Sequence, residues 1–131
     1  MTTETVSTEW GLVIPAPAPW LNANRGMHWA ERAETVKIWR DAAHIHARAM
    51  KLPKALGRIH ILATLHFTEN RKRDAHNYYP TLKACVDGLV DYGLIADDND
   101  DHLDGPDIRV GERVLKRGVV VLTIRALEVT G

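Results

Sequence analysis

One segment, Arg71 to His102 (RKRDAHNYYPTLKACVDGLVDYGLIADDNDDH), constrains the fold most, because both ends of a helix can be read from it. Pro80 suits the first turn of a helix, where its missing N–H costs nothing. Gly93 suits the residue just past the helix end. Between them the apolar residues recur at helical spacing on one face: Leu82, Cys85, Val86, Leu89 and Val90. Cations stand before this predicted helix, and carboxylates crowd both of its ends.

A second helical pattern covers residues 29–50 and ends at Leu52-Pro53. Its apolar positions share one side: Trp29, Ala33, Val36, Trp39, Ala43, Ala47 and Met50. A basic stripe with the same spacings runs beside them: Lys37, Arg40, His44, Arg48 and Lys51. Such a stripe is either a solvated flank or a surface for phosphate.

Strand patterns occupy most of the remaining chain, and they predict a single α/β (α+β) domain over residues 1–131. The predicted strands are 10–14, 58–67, 107–115 and 118–127, and residues 1–8 are expected to be disordered. The order is β-α-β-α-β-β, a mixed sheet of about four strands with two main helices. The tight connection Lys116-Arg117-Gly118 predicts that the last two strands pair as a hairpin.

Composition excludes several classes of protein. Lysine plus arginine and aspartate plus glutamate number 17 each, so a case for nucleic-acid binding must rest on local patches. The one cysteine, Cys85, excludes an internal disulfide and a cysteine-based zinc site. No apolar run approaches the roughly 20 residues that span a bilayer, and the first residues lack signal-peptide character. We therefore expect a cytoplasmic protein without a membrane segment.

The acidic residues suggest a metal site. A helix from Pro80 to Gly93 is roughly 20 Å long, so Asp74 and Asp98 meet only if the flanking loops fold back over it. If they meet, hard carboxylate oxygens select Mg²⁺ or Mn²⁺, which can activate water against a phosphodiester. The basic run 71–73 could then hold flanking phosphates. A solvated acidic surface explains the same residues, whereas an EF-hand calcium loop does not fit their spacing.

Three pieces of the sequence together resemble the RusA-like Holliday-junction resolvases. PAPAPWLNANRGMHW resembles the proline-rich start and Asn-rich loop of that family, and RKRDAHN resembles its basic run with Asp-x-Asp-Asn. KACVDGLVDYGLIADD resembles its Lys-x-x-x-Asp-x-Leu helix, which ends in paired aspartates. The pieces occur in the family's order over roughly residues 12–103.

The resemblance implies a homodimeric, Mg²⁺- or Mn²⁺-dependent endonuclease that nicks four-way DNA junctions. It also implies roles for particular residues, with Asp87 as the helix aspartate. The implied catalytic residues are Asp74, His76, Lys83 and Asp98, and the implied metal ligands are Asp74, His76, Asp97 and Asp98. We expect the following residues to bind the DNA backbone: Asn24, Arg25, His28, Lys37, Arg40, Arg71, Lys72, Arg73 and Asn77.

Two departures from the family pattern leave other functions open. His76 stands where the family has its second aspartate, and imidazole brings no negative charge. Tyr78-Tyr79-Pro80 are extra residues before Lys83, and this tyrosine pair either packs or stacks on unpaired bases. The first alternative is therefore a RusA-like DNA-binding protein with a weakened or inactive site. A plain interaction protein, which binds neither DNA nor metal, is the second.

Overall fold

The sheet and the helices follow the predicted order. The computed structural model describes residues 3–130. Its elements are β1 Thr3–Pro15, α1 Trp29–Ala49, β2 Arg58–His66, a short 3-10 helix Ala75–Tyr78, α2 Tyr79–Tyr92, β3 Leu103–Val110 and β4 Val119–Thr130. The four strands form one mixed sheet in the order β1-β4-β2-β3. The predicted α+β class, strand number and element order are confirmed.

The first strand is longer than its apolar pattern predicts. Residues 3–8, where we expected disorder, form its first part, whereas residues 1 and 2 lie outside the described chain. From Thr8 to Pro15 the strand continues in antiparallel register with β4, after an irregularity between Val6 and Thr8. The pairing partner, which is distant in sequence, explains why a polar segment is a strand.

The predicted hairpin between the last two strands is wrong. β4 pairs antiparallel with β1 on one side and β2 on the other, and β3 pairs parallel with β2 at the sheet edge. Strand β2 therefore lies between β3 and β4, which still run in opposite directions. The backbone groups of a buried strand need partners on both sides, and β3 and β4 supply one side each.

The core lies on one face of the sheet. On β2 the burial alternates strictly, with Ile59, Ile61, Ala63 and Leu65 fully buried. These side chains form one cluster with buried residues of β1, β4 and both helices. The alternation predicted from the sequence of β2 is thus confirmed.

The two helices pack closely where α2 has a glycine. A Cβ built on Gly88 would stand 2.1 Å from the carbonyl oxygen of Arg40 and 2.9 Å from the Cβ of Ala43. Any larger residue would push the helix backbones apart. Gly88 therefore sets the distance between α1 and α2.

The apolar side of α1 is buried only in its middle. Trp39, Ala43 and Ala47 are fully buried, whereas Trp29 is 77% exposed and Met50 is 54% exposed. The helix extends beyond the surface that covers it, so its end residues meet solvent. In residues 3–130, neither helix has an apolar stretch that could cross a bilayer.

Candidate functional site

The chain turns back sharply after α2. Gly93 ends the helix in the left-handed conformation, with φ of 99°. The following residues are anchored, because Leu56 donates its N–H to the carbonyl of Leu94 at 2.8 Å and forms a bridge with Ile95. The returning loop then brings Asp98 against Lys83, in the first half of α2. The fold-back that the site requires is therefore present for Asp98.

Lys83 is held between two carboxylates. Its Nζ lies 2.8 Å from Oδ1 of Asp87 and 2.5 Å from Oδ2 of Asp98. The hydrogen bonds to Asp87 and Asp98 raise the pKa of Lys83 above its ordinary value. The hydrogen bond from Lys83 lowers the pKa of Asp98. Both Lys83 and Asp98 are therefore charged at neutral pH.

Asp97 shapes the acidic loop. Its Oδ1 accepts a hydrogen bond from the backbone N–H of Asp98 at 2.8 Å. In the same loop, Oδ1 of Asn99 accepts from the N–H of Asp101, two residues on, at 3.1 Å. Side-chain acceptors of this kind stabilise turns. Asp97 thus fixes the backbone that carries Asp98.

Asp74 caps the short 3-10 helix. Its Oδ1 accepts from the backbone N–H of His76 at 3.0 Å, and both residues are exposed. A cleft of about 240 Å³ surrounds it, lined by Asn22, Arg71, Lys72, Arg73, Asp74, Asn77 and Tyr78. Asp74, Asn77 and the basic run therefore line the same cleft. Asp98 lines a separate, smaller cleft with Lys83 and Tyr79.

The predicted metal ligands do not form a ready-made cage. Among residues 8–127, whose side chains the structure describes, no group of three or more histidine, cysteine, aspartate or glutamate side chains is placed to hold a metal ion. The carboxylates nevertheless suit Mg²⁺ in type and number, because that ion typically takes one or two carboxylates together with waters and substrate phosphates. Asp74 and Asp98 are the candidates for this role.

The predicted DNA-binding cations divide into two groups. Arg25, Arg71 and Arg73 line one large cleft, which His28 also lines. On α1, Lys37 pairs with Asp41 at 2.5 Å. Arg40, also on α1, donates to both oxygens of Asp91 at 2.6 and 2.8 Å. Only the first group presents cations around an open space; the α1 cations already have acidic partners. Asn24 lies in an exposed turn beside Asn22.

No sequence pattern indicates the contacts that hold the proline-rich connector in place. Thr81 is fully buried; its Oγ1 accepts from the N–H of Leu21 and donates to the carbonyl of Leu21, both at 2.9 Å. Trp39 also donates its indole N–H to the carbonyl of Pro19 at 2.9 Å. These contacts join residues 20 or 60 positions apart, so no local pattern reveals them.

The tyrosine pair before Lys83 divides between packing and exposure. Tyr78 is 5% exposed and packs on Phe67, with ring centroids 4.9 Å apart. Tyr79 is 48% exposed at the start of α2. Packing is therefore shown for Tyr78, and only Tyr79 presents a large surface to solvent.

Comparison with known proteins does not place the chain in a family. No known protein family matched the sequence, and no curated protein matched it either. The resemblance to the RusA-like resolvases thus depends on the motif residues themselves.

Proposed function

We propose that this protein is a RusA-like, divalent-metal-dependent endonuclease that cuts four-way DNA junctions and acts as a homodimer. The observation that carries the proposal is the pairing of Lys83 with Asp98, since it joins two motif residues 15 positions apart. Asp74 and the basic run 71–73 line a cleft at the residues that lead into the same helix.

Lys83 supplies a positive charge that can respond to substrate. When a phosphate approaches, its ammonium group can donate to a phosphate oxygen in place of Asp98, and it can stabilise the charge that develops during hydrolysis. Asp87 keeps its own bond of 2.8 Å and holds the lysine in position during this exchange. Asp98 is then released from its cationic partner.

The divalent ion, when bound, supplies positive charge at the scissile phosphate and lowers the pKa of a bound water. Asp74 and Asp98 would hold it, and His76 and Asp97 would support them. Arg25, Arg71, Lys72 and Arg73 bind the flanking backbone phosphates through charge-assisted hydrogen bonds. A two-fold junction cut at paired positions calls for two related sites, so the active species is a homodimer.

A labelled four-way junction incubated with Mg²⁺ or Mn²⁺ tests the proposal. We expect wild type to nick the junction and Asp74→Asn and Asp98→Asn to nick it at least about 100-fold more slowly, because loss of even an outer partner of a metal ligand costs about 10- to 100-fold. Glu34→Gln, which removes an exposed carboxylate from α1, is the matched control and should cut normally.

The outcomes separate the possible errors. If Asp74→Asn and Asp98→Asn cut as fast as wild type, the site assignment is wrong. If wild type shifts the junction in a gel but nicks it with neither metal, the protein binds DNA without catalysis. Sedimentation of the protein as a monomer on and off the junction would refute the homodimer.

A DNA-binding protein without catalysis is the second candidate. Two observations favour it: His76 replaces the second motif aspartate, and the described residues do not gather three metal-binding side chains. In that case His76→Asp should create metal-dependent nicking, since it restores the missing carboxylate. If the wild type is inactive and His76→Asp stays inactive, other changes besides His76 account for the loss.

A further inference from the structure

A large cleft lies beside the proposed catalytic residues. It has a volume of about 540 Å³, within the approximate 300–1,000 Å³ range of small-molecule sites. Residues 19–31 form one wall and residues 67–78 form the other. The cleft shares Asn22, Arg71, Arg73 and Tyr78 with the cleft around Asp74, so the two are neighbours.

The charge of this cleft suits an anion. Three arginines line it, Arg25, Arg71 and Arg73, against two glutamates, Glu31 and Glu69. Glu69 reaches Arg71 only at 3.8 Å, and Arg73 donates to backbone carbonyls instead of carboxylates. The cleft therefore carries net positive charge in a chain whose total charge is zero.

Arg73 has a donor without a partner. Its Nε is buried and, within the described chain, makes no hydrogen bond. The guanidinium lies over the ring of Phe67, with Cζ 4.0 Å from the ring centroid. A buried N–H without an acceptor is uncommon and indicates a missing partner. A phosphate or base oxygen in the cleft would supply one after a small shift of the side chain.

Part of the cleft lining is apolar. Trp20 and Met27 line the cleft, and neither is fully buried. Trp20 packs on Trp39 and Phe67, with ring centroids 5.3 and 4.7 Å apart. Aromatic surfaces held in this way serve as platforms for nucleic-acid bases. Positive charge and an apolar platform thus face the same space.

We propose that this cleft binds one unpaired nucleotide of a DNA strand, with its phosphate at Arg25 and Arg71 and its base against Trp20 and Met27. The inference rests on the proposed function, because branched DNA is the source of the unpaired nucleotide. Because the Asp74 cleft is adjacent, the neighbouring phosphodiester would lie near the proposed catalytic residues.

Calorimetric titration in EDTA tests phosphate recognition without cleavage. We expect tetrathymidylate to bind more tightly than thymidine monophosphate, and thymidine and inorganic phosphate alone to bind more weakly than either. Arg25→Gln and Arg71→Gln should each weaken tetrathymidylate binding by about tenfold, the loss typical of a hydrogen bond to a charged group. Arg117→Gln, an exposed arginine that lines no described cleft, should leave it unchanged.

A tetranucleotide with one abasic position tests recognition of the base. We expect the abasic ligand to bind roughly 5- to 150-fold more weakly, the range that corresponds to loss of base stacking. Met27→Ala should reduce the difference between the two ligands, and thermal melting would check that each variant remains folded. Equal binding of the intact and abasic ligands would overturn the proposal.

Two further results would also refute the nucleotide site. If inorganic phosphate binds as tightly as tetrathymidylate, the cleft is a simple anion site. If the mononucleotide binds more tightly than the strand, the ligand is a free nucleotide. The titration contains no metal, so it tests binding separately from cleavage. If the wild-type protein nicks junctions but fails these binding tests, only the nucleotide site is refuted. If the protein binds the nucleotide but does not nick junctions, only the catalytic proposal is refuted.

Discussion

Lys83 makes ion pairs with two carboxylates at once, and their exposure limits what these pairs contribute to stability. The Lys83 side chain is 44% exposed, Asp98 is 29% exposed and Asp87 is 26% exposed. Pairs this open to solvent typically contribute about 0–1 kcal/mol. The arrangement therefore matters more for position and charge: it keeps Asp98 ionised and close to α2.

The pH dependence of Asp98 follows from this pairing. Its native pKa is lowered by Lys83, so the pair contributes stability above the unfolded value of about 3.9 and loses it as pH falls through the native pKa. The raised pKa of Lys83 has the opposite pH dependence. It contributes to stability below the unfolded pKa of about 10.4, and this contribution is lost as the pH rises through the native pKa of Lys83. The pair is therefore intact between about pH 4 and pH 10.

An NMR titration of the Asp98 carboxyl checks this directly. We expect a pKa below about 3.9 in wild type and a higher one in Lys83→Met, because the variant removes the donor and its charge. Lys51→Met, an exposed lysine just past α1, should leave it unchanged. A wild-type Asp98 that titrates at or above about 3.9 would contradict the observed pairing.

At the scale of elements, the contact between α1 and α2 depends on one absent side chain. The Cβ of an alanine at position 88 would stand 2.1 Å from the backbone oxygen of Arg40, which cannot move without the helix. The better helix propensity of alanine, about 1 kcal/mol over glycine, acts in the opposite direction. Overpacking typically costs about 1–3 kcal/mol, and a backbone clash this close belongs at the upper end.

We therefore expect Gly88→Ala to lower the free energy of unfolding by about 1–3 kcal/mol in urea denaturation. Gly57→Ala is the matched control, since a Cβ there meets nothing within 4 Å, and its effect should stay within about 0.5 kcal/mol. A Gly88→Ala variant more stable than wild type would show that the helices separate without loss.

At the scale of the whole molecule, net charge gives no reason for DNA binding, but the distribution of charge does. Lys37 and Arg40 on α1 are paired with acids, whereas Arg25, Arg71 and Arg73 converge on one cleft. Each phosphate that such a cation neutralises releases counterions, so the affinity falls with salt by about 0.9 log units per log unit of salt.

We expect Arg71→Gln to weaken binding of junctions of different sequence by similar factors and to reduce the salt slope by about 0.9. Fluorescence anisotropy across a range of salt concentrations measures both quantities, with Arg117→Gln as the control. An unchanged slope would mean that Arg71 contacts no phosphate.

Local sequence determined the helices and the alternation of the central strand. Pro80 and Gly93 bound a helix that the structure places at Tyr79–Tyr92, and the pattern over residues 29–50 corresponds to Trp29–Ala49. These features depend on backbone geometry within a few residues, which capping and periodicity report directly.

Tertiary structure alone decided which strands pair and which site residues meet. Nothing local shows that β2 separates β3 from β4, that Asp98 returns to Lys83, or that residues 19–31 and 67–78 enclose one cleft. The physical reason is that such contacts satisfy backbone groups and charges of segments far apart in the chain. These contacts contribute free energy only when the whole sheet and both helices have assembled. The sequence around each contacting residue therefore does not indicate its distant partner.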